Sequence, residues 1–462
     1  MNYLSYIIRL IDARKTIKEV LITVLAIGLF SMLAYRWAFY PESNIAPLIV
    51  AVIIALLTLW NLTIGLVVYL AIYPLVPASS GVDIVKTGIL GLTLLLLAVW
   101  WYKNIKTGTK PWSMSEYKWL FVFFLFLCFS PILGFRSGFS VMDWARDIAP
   151  LLNLLLIPVM VDHLKQPNRR WMLYLVFVPV ALGFIRDIMV LLIGYGIVDI
   201  GLLTIFPIRL STYHPGLFFG LGLVLFIQKA PRKWLWLVLS AMGAGLTFLT
   251  QTRTVWLSLG FMSGLLLIFF SQHRWKAVAL MAVILMVMGV VMFRGGALAG
   301  YSESQTGRYQ QLLGYKTDPS VKSRFDEIYQ TMDLFKSSPV FGVGFGYQYH
   351  FWRTWVTAYK GSGYFDTNYT HNDIFNIAAK SGLAGLVLFG LLLGAFIKGL
   401  HKRRNSIKDP VARALAMFGV IAIYQALFVG LSTPVFQTRE AVFLLAFIIA
   451  VAFSYDRGFT DE

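Results

Sequence analysis

Apolar runs long enough to cross a bilayer as helices recur along almost the whole chain, and nothing else in the sequence limits its fold so tightly. Read by length and flanking charge, they place spans at 20–39, 45–60, 62–76, 87–101, 117–133, 144–161, 171–193, 213–227, 234–249, 254–270, 276–293, 382–397, 411–430 and 441–453. That is about fourteen by hydropathy. Only helices and closed barrels satisfy their backbone inside lipid, and the weak alternation of an outer-membrane barrel is missing here. Composition agrees, with 58% hydrophobic and 13% charged residues and a mean hydropathy of +0.71, far too apolar for a soluble chain of this length. The expected fold is therefore all-α: a polytopic helical membrane protein of about 12–14 transmembrane helices with one large helical extracytoplasmic loop. Asn61 divides 45–76 into two short segments, which could instead form one long tilted helix.

A formal net charge of +18 would suit a nucleic-acid binder, but the basic residues sit in short polar breaks between apolar runs. Arg14, Lys15 and Lys18 precede the first span. Lys103, Lys106 and Lys110, then Lys165, Arg169 and Arg170, then Lys229, Arg232 and Lys233, then Arg274, and finally Lys402, Arg403 and Arg404 occupy alternate breaks. All fall on one side if the N-terminus is cytoplasmic, which is the positive-inside pattern and no nucleic-acid stripe. Residues 1–19 are too polar and too long for a signal-peptide n-region, so the N-terminus is expected to be retained, with both termini cytoplasmic. Cys128, the single cysteine, lies in an apolar run and has no partner for a disulfide. Three parts follow: an N-terminal transmembrane bundle at 1–293, an extracytoplasmic loop at 294–371 that carries the chemistry, and C-terminal transmembrane helices at 372–462.

The loop is far longer than ordinary connections, a length that points to function. Eight basic residues (Arg294, Arg308, Lys316, Lys322, Arg324, Lys336, Arg353, Lys360) nearly balance six acidic ones (Glu303, Asp318, Asp326, Glu327, Asp333, Asp366), and aromatics are frequent. Such a segment folds. Within it, Arg324 to Lys336 reads as a helix with Phe325, Ile328, Met332 and Phe335 on one stripe, stopped at Ser337, Ser338 and Pro339.

The outward side collects arginines that positive-inside bias should deplete: Arg136, Arg146, Arg209, Arg253, Arg294, Arg308, Arg324, Arg353 and Arg439. Arg209 precedes the span at 213, and Arg253 sits in the short hairpin Thr250-Gln-Thr-Arg-Thr254, at the outer surface. A planar donor fork that stays charged beside lipid suits phosphate oxygens, although a lone arginine can equally snorkel to lipid headgroups. Of the histidines, His163, His273 and His401 lie in cytoplasmic breaks, whereas His214, His350 and His371 lie outside. His371 ends the loop, is followed by Asn372, and stands at the threshold of the next membrane helix, where neutral imidazole can accept a proton from a sugar hydroxyl. Asp326, Asp366 and Asp373 compete with it as a base, or could hold a divalent ion. Gly382 and Gly385, with Gly390 and Gly394, would let a neighbouring helix approach closely. Phe341-Gly-Val-Gly-Phe-Gly346 lacks the spacing and the strand–helix context of a nucleotide loop, and no zinc-type His or Cys cluster is present, so neither cofactor nor metal is expected.

Arg324-Phe-Asp-Glu-Ile-Tyr329, Ser338-Pro-Val-Phe-Gly-Val-Gly344, and His371-Asn372 followed at nine residues by Gly382-x-x-Gly385 together resemble the O-antigen ligase and polymerase family. The likeness covers about Ser323 to Gly385, and the Thr250–Thr254 hairpin resembles the family's arginine-bearing turn, with Thr252-Arg253 in place of the common Ser-Arg. The resemblance implies a metal-independent, inverting glycosyltransferase of the membrane-embedded C type in a bacterial cytoplasmic (inner) membrane, with its loop periplasmic or extracellular. Its donor would be an undecaprenyl-diphosphate-linked glycan and its acceptor a lipid or glycan hydroxyl, such as lipid A-core. By the same resemblance His371 would deprotonate the acceptor, Arg209 and Arg253 would hold the departing diphosphate, Arg324 would position donor or loop, and Asn372, Gly382 and Gly385 would support the site. A repeat-unit polymerase shares the signature. Outside the family, a lipid-linked glycan transporter would use intramembrane Arg186 and Asp187, but no internal repeat of the transporter kind is present.

Overall fold

The computed structural model describes residues 45–72, 84–108, 115–135, 140–164, 214–228, 233–249, 253–269, 319–356, 361–407 and 409–454. The spans expected at 20–39, 171–193 and 276–293, the loop before 319, and Arg136, Arg186, Asp187, Arg209, Arg294 and Arg308 lie outside these residues. In chain order the helices are α1 (Ile45–Trp60), α2 (Leu62–Ile72), α3 (Ile84–Lys106), α4 (Ser115–Phe135), α5 (Val141–Leu152), α6 (Leu156–Leu164), α7 (His214–Ile227), α8 (Lys233–Leu249), α9 (Arg253–Phe269) and α10 (Pro319–Ser337). Strands β1 (Tyr349–Val356) and β2 (Gly361–Thr367) follow, then α11 (Asp373–Ser406), α12 (Pro410–Gly430) and α13 (Arg439–Ser454). Among the described residues four segments, Gly88–Lys106, Val141–Leu164, Asp373–Ser406 and Pro410–Gly430, are long and apolar enough to cross a membrane. The fold is that of an all-α polytopic membrane protein.

Two compact units divide the chain: Met1–Met114 with Leu152–Ile208 and Ile449–Glu462, and Ser115–Leu151 with Arg209–Ile448. In the first, the chain turns at Asn61, whose side chain accepts from Thr63 N at 3.0 Å. Gly65 lies so close to Thr58 that a Cβ there would come within 2.5 Å of the Thr58 Cα. The segment is thus two helices folded on each other, and the single tilted helix is excluded. Two polar pairs link its helices, as an apolar surround favours: Tyr69 with Thr93 at 2.7 Å, and the Trp100 indole donating to Asp162 at 2.9 Å.

In the second unit α7, α8, α9 and α12 share one apolar core around Leu223, Leu259, Met262, Met417 and Ile421. Glycines set the spacing. At Gly222 a Cβ would stand 2.4 Å from the Trp236 carbonyl, and at Gly385 it would stand 2.9 Å from the Phe126 ring of α4. Gly385 is therefore a packing glycine, as its spacing in the sequence leads one to expect. Among the described residues nothing lies within 4 Å of a Cβ at Gly390 or Gly394.

Gly382 has another role. Its φ of 64° breaks α11 into two helices. In a continuous helix the N–H groups of residues 383 and 384 would bond to the carbonyls of 379 and 380. Instead they bond to Pro339 and Val340, while the carbonyls of Ala379 and Lys380 accept from Val343 and Gly344, all at 2.8–3.0 Å. The Pro-x-x-Gly-x-Gly turn is laced into the kink, and Gly342, at φ 73°, touches the Lys380 backbone where a Cβ would sit 2.4 Å away. Gly382→Ala puts an L side chain in the left-handed region and a Cβ 2.3 Å from the Val340 carbonyl. It should destabilise the protein by more than ~1 kcal/mol, read as a lower melting temperature in detergent, whereas the same change at the open Gly390 should be neutral or better.

The sequence leads one to expect a helical loop, but the described part of it is a helix followed by a hairpin. Its helix is α10, but β1 and β2 follow as an antiparallel hairpin pairing Tyr349 with Thr367, Phe351 with Phe365 and Trp352 with Tyr364. Alternation explains the strand: Tyr349, Phe351 and Arg353 are buried, while His350, Trp352 and Thr354 are exposed. The buried stripe of α10 also differs from the apolar one expected. Ser323, Glu327 and Thr331 face inward, while Phe325 is 50% exposed.

Candidate active site

Spacing of four puts Ser323, Glu327 and Thr331 on one face of α10, and a carboxylate buried there must find donors. Glu327 finds three. The backbone N–H of His371 donates to its Oε2 at 3.0 Å, the Nδ1 of His371 lies 3.0 Å from the same oxygen, and the Arg353 guanidinium stands 2.7 Å from Oε1. Burial pushes the Glu327 carboxyl up, but the His371 hydrogen bond and the charges of His371 and Arg353 outweigh it and leave it below the ordinary glutamate range. An ionised carboxylate only accepts, so Nδ1 carries a proton, and Nε2 is the nitrogen at which the neutral ring would accept one. Among the described residues no partner occupies Nε2, and the ring is about a quarter exposed, with Tyr369 edge-on at 5.8 Å. This is the geometry of an oriented base.

The hairpin delivers Arg353 because strand alternation turns it inward, against Glu327 and over the Phe365 ring at 4.0 Å. Helix α10 in turn closes the open edge of β1 with side chains. Gln330 accepts from Trp352 N at 2.9 Å and donates to its carbonyl at 2.7 Å, and Asp326 accepts from Thr354 N at 2.7 Å. An edge strand left bare would be a liability; here it is capped.

Asn372 is the N-cap of α11, accepting from Phe375 N at 3.1 Å, and its amide also donates to the Leu431 carbonyl at 2.9 Å. That second contact leads to the turn between α12 and α13. The next residue, Ser432, accepts from the Arg324 guanidinium through its carbonyl and bonds through its hydroxyl to Thr254, the neighbour of Arg253 at the start of α9. The turn's Phe436 N–H donates to Asp373 at 3.1 Å. Leu431–Ser432 therefore gathers Asn372, Arg324 and the N-terminal end of the Arg253 helix. The Arg253 side chain and all of Arg209 lie outside the described residues.

Beneath the site, Lys380 and Asp147 form a fully buried ion pair. Lys380 also donates to the Asn368 carbonyl, and Asp147 accepts from Asn368 Nδ2 at 3.1 Å and from Gly346 N at 2.7 Å. The network joins α5, the glycine turn, the segment leading to His371, and α11. The carboxylates that compete with His371 in the sequence are engaged elsewhere: Asp326 on Thr354, Asp366 on His350, and Asp373 buried under Phe436.

Sequence reasoning missed the parts played by Glu327, Arg353, Lys380 and Asp147, although signals existed. Glu327 follows Arg324 by three residues, on the same helical face. Lys380 and Asp147 interrupt apolar runs, where a charge needs a partner. Ser432 carried no such signal.

Residues 237–390 match the family model described as O-antigen ligase. No curated protein matches the chain. The matched stretch contains His371, Asn372, Arg253, Arg324, Glu327, Arg353 and the Gly382 kink.

Proposed function

We propose, from the match of residues 237–390 to the O-antigen ligase family model, that the chain is a membrane glycosyltransferase that moves a glycan from undecaprenyl diphosphate to an acceptor hydroxyl at the outer face of the bacterial inner membrane. One observation carries the reading: Glu327 fixes the His371 ring with Nε2 open, beside a turn that collects Arg324 and the helix headed by Arg253.

The step balances without an added reagent. His371 Nε2 takes the acceptor's hydroxyl proton, the oxygen attacks the anomeric carbon from the face opposite the diphosphate, and the bond from that carbon to the phosphate oxygen breaks with its electron pair leaving on undecaprenyl diphosphate. Configuration inverts. Arg209 and Arg253 hold the developing negative charge, the part a metal plays elsewhere, and Arg324 ties that region to the loop. Asn372, Gly382 and Gly385 support the site as cap, kink and contact. Glu327 stabilises the imidazolium as it forms, as a buried carboxylate does in a nucleophile–histidine–carboxylate triad.

The test is product formation. Purified protein with an undecaprenyl-diphosphate-linked oligosaccharide, EDTA, and lipid A-core or a second lipid-linked glycan as acceptor should give a transferred glycan by mass spectrometry. Joining to lipid A-core marks a ligase, and lengthening of the glycan marks a polymerase. No transfer from any donor would return the chain to the transporter class.

A further inference from the structure

Alternation that turns Arg353 inward turns His350, Trp352 and Thr354 outward, where β2 sets Tyr364 and Asp366 opposite them. Trp352 is 45% and Tyr364 56% exposed, and their rings meet edge to face at 5.1 Å. The His350 ring stacks on Tyr364 at 4.5 Å and pairs with the Asp366 carboxylate. The ledge is rigid because Gln330 clamps both backbone groups of Trp352. Two large rings held open to solvent, with an ionisable pair at their rim, offer flat apolar area and directional polar groups together.

We propose that this outward face of the hairpin is a glycan-binding ledge, on which pyranose units of the transferred chain stack against Trp352 and Tyr364 while ring hydroxyls bond to Asp366 and His350. The proposal rests on the transferase reading only in naming which glycan is held. A pyranose has C–H faces that cover an aromatic ring and hydroxyls at its edge, which matches rings bordered by a carboxylate and an imidazole. Trp and Tyr also mark bilayer interfaces, but the rings here are bordered by His350, Thr354 and the Asp366 carboxylate, with no Lys or Arg among them to meet anionic headgroups. The ledge is also continuous with the site. Arg353, one residue from Trp352, contacts Glu327, and Glu327 holds His371.

The experiment uses the full chain in nanodiscs and fluorescent bacterial O-antigen and capsular oligosaccharides of one to several repeat units as probes. Wild type should bind at least one probe, more tightly with added units. Trp352→Ala and Tyr364→Ala should each weaken binding about tenfold, and Trp352→Phe, which keeps a ring, should retain most of it. The proposal is overturned if no probe binds or if Trp352→Ala binds like wild type. It also fails if binding falls equally in Trp352→Phe together with the melting temperature, which is packing, or if the variants alter only the response to phosphatidylglycerol, which is a membrane contact. A protein that binds through the ledge yet transfers nothing overturns the transferase reading alone.

Discussion

Glu327→Gln should lower kcat for glycan transfer by about a hundredfold to ten-thousandfold while the donor KM changes little. The carboxylate accepts from Nδ1 and from the His371 backbone, so its charge selects the tautomer with Nε2 unprotonated. A glutamine can turn its amide N–H toward Nδ1 and select the other tautomer, which cannot take a proton at Nε2. It also strands the Arg353 guanidinium, 2.7 Å away and largely buried, and an unmatched buried charge costs about 3–5 kcal/mol. Activity could thus fall through stability alone. The double variant Glu327→Gln/Arg353→Met separates the two, because it removes the stranded charge. Its melting temperature should recover and its kcat should not. Glu327→Asp, which keeps the charge on a shorter arm, should restore part of kcat. Recovery of kcat in the double variant would make Glu327 merely structural.

Lys380→Met should have the largest effect on stability. Both members of the Lys380–Asp147 pair are fully buried, and removing the cation leaves Asp147 charged among apolar neighbours, a loss of about 3–5 kcal/mol. Asp147 would keep Gly346 N and Asn368 as donors but lose its counter-charge. Lys380→Met/Asp147→Asn should regain much of the loss, since the amide oxygen can still accept from Gly346. Thermal unfolding in detergent checks both. A single variant that melts with wild type would mean that the pair does not tie the glycine turn to α11.

Hydropathy made the membrane helices legible because every backbone group in lipid must be satisfied within the chain, so length and apolarity carry the signal. The order of the motifs singled out His371, Asn372 and Arg324 as candidates, and the structure brings Asn372 and Arg324 to one turn. The hairpin was not, because aromatic residues at 349–356 read as part of a folded loop until strand alternation is considered. Gly382 looked like a helix-contact glycine, since spacing cannot reveal that a distant turn replaces the hydrogen bonds of residues 383 and 384. Glu327 was hidden by the opposite assumption. An apolar stripe was expected to be the inward face of α10, whereas the polar stripe is buried because Arg353 and His371 arrive from elsewhere in the chain. Long-range partners of this kind leave no mark in local pattern.

The most direct test is transfer by His371→Ala. The purified variant and wild type receive the same undecaprenyl-diphosphate-linked oligosaccharide, acceptor and EDTA, with melting temperatures measured alongside. His371 donates to Glu327 from a partly exposed ring and does not fill the core, so the variant should fold, bind donor and fail to transfer. Transfer at the wild-type rate by a folded His371→Ala protein would contradict the account.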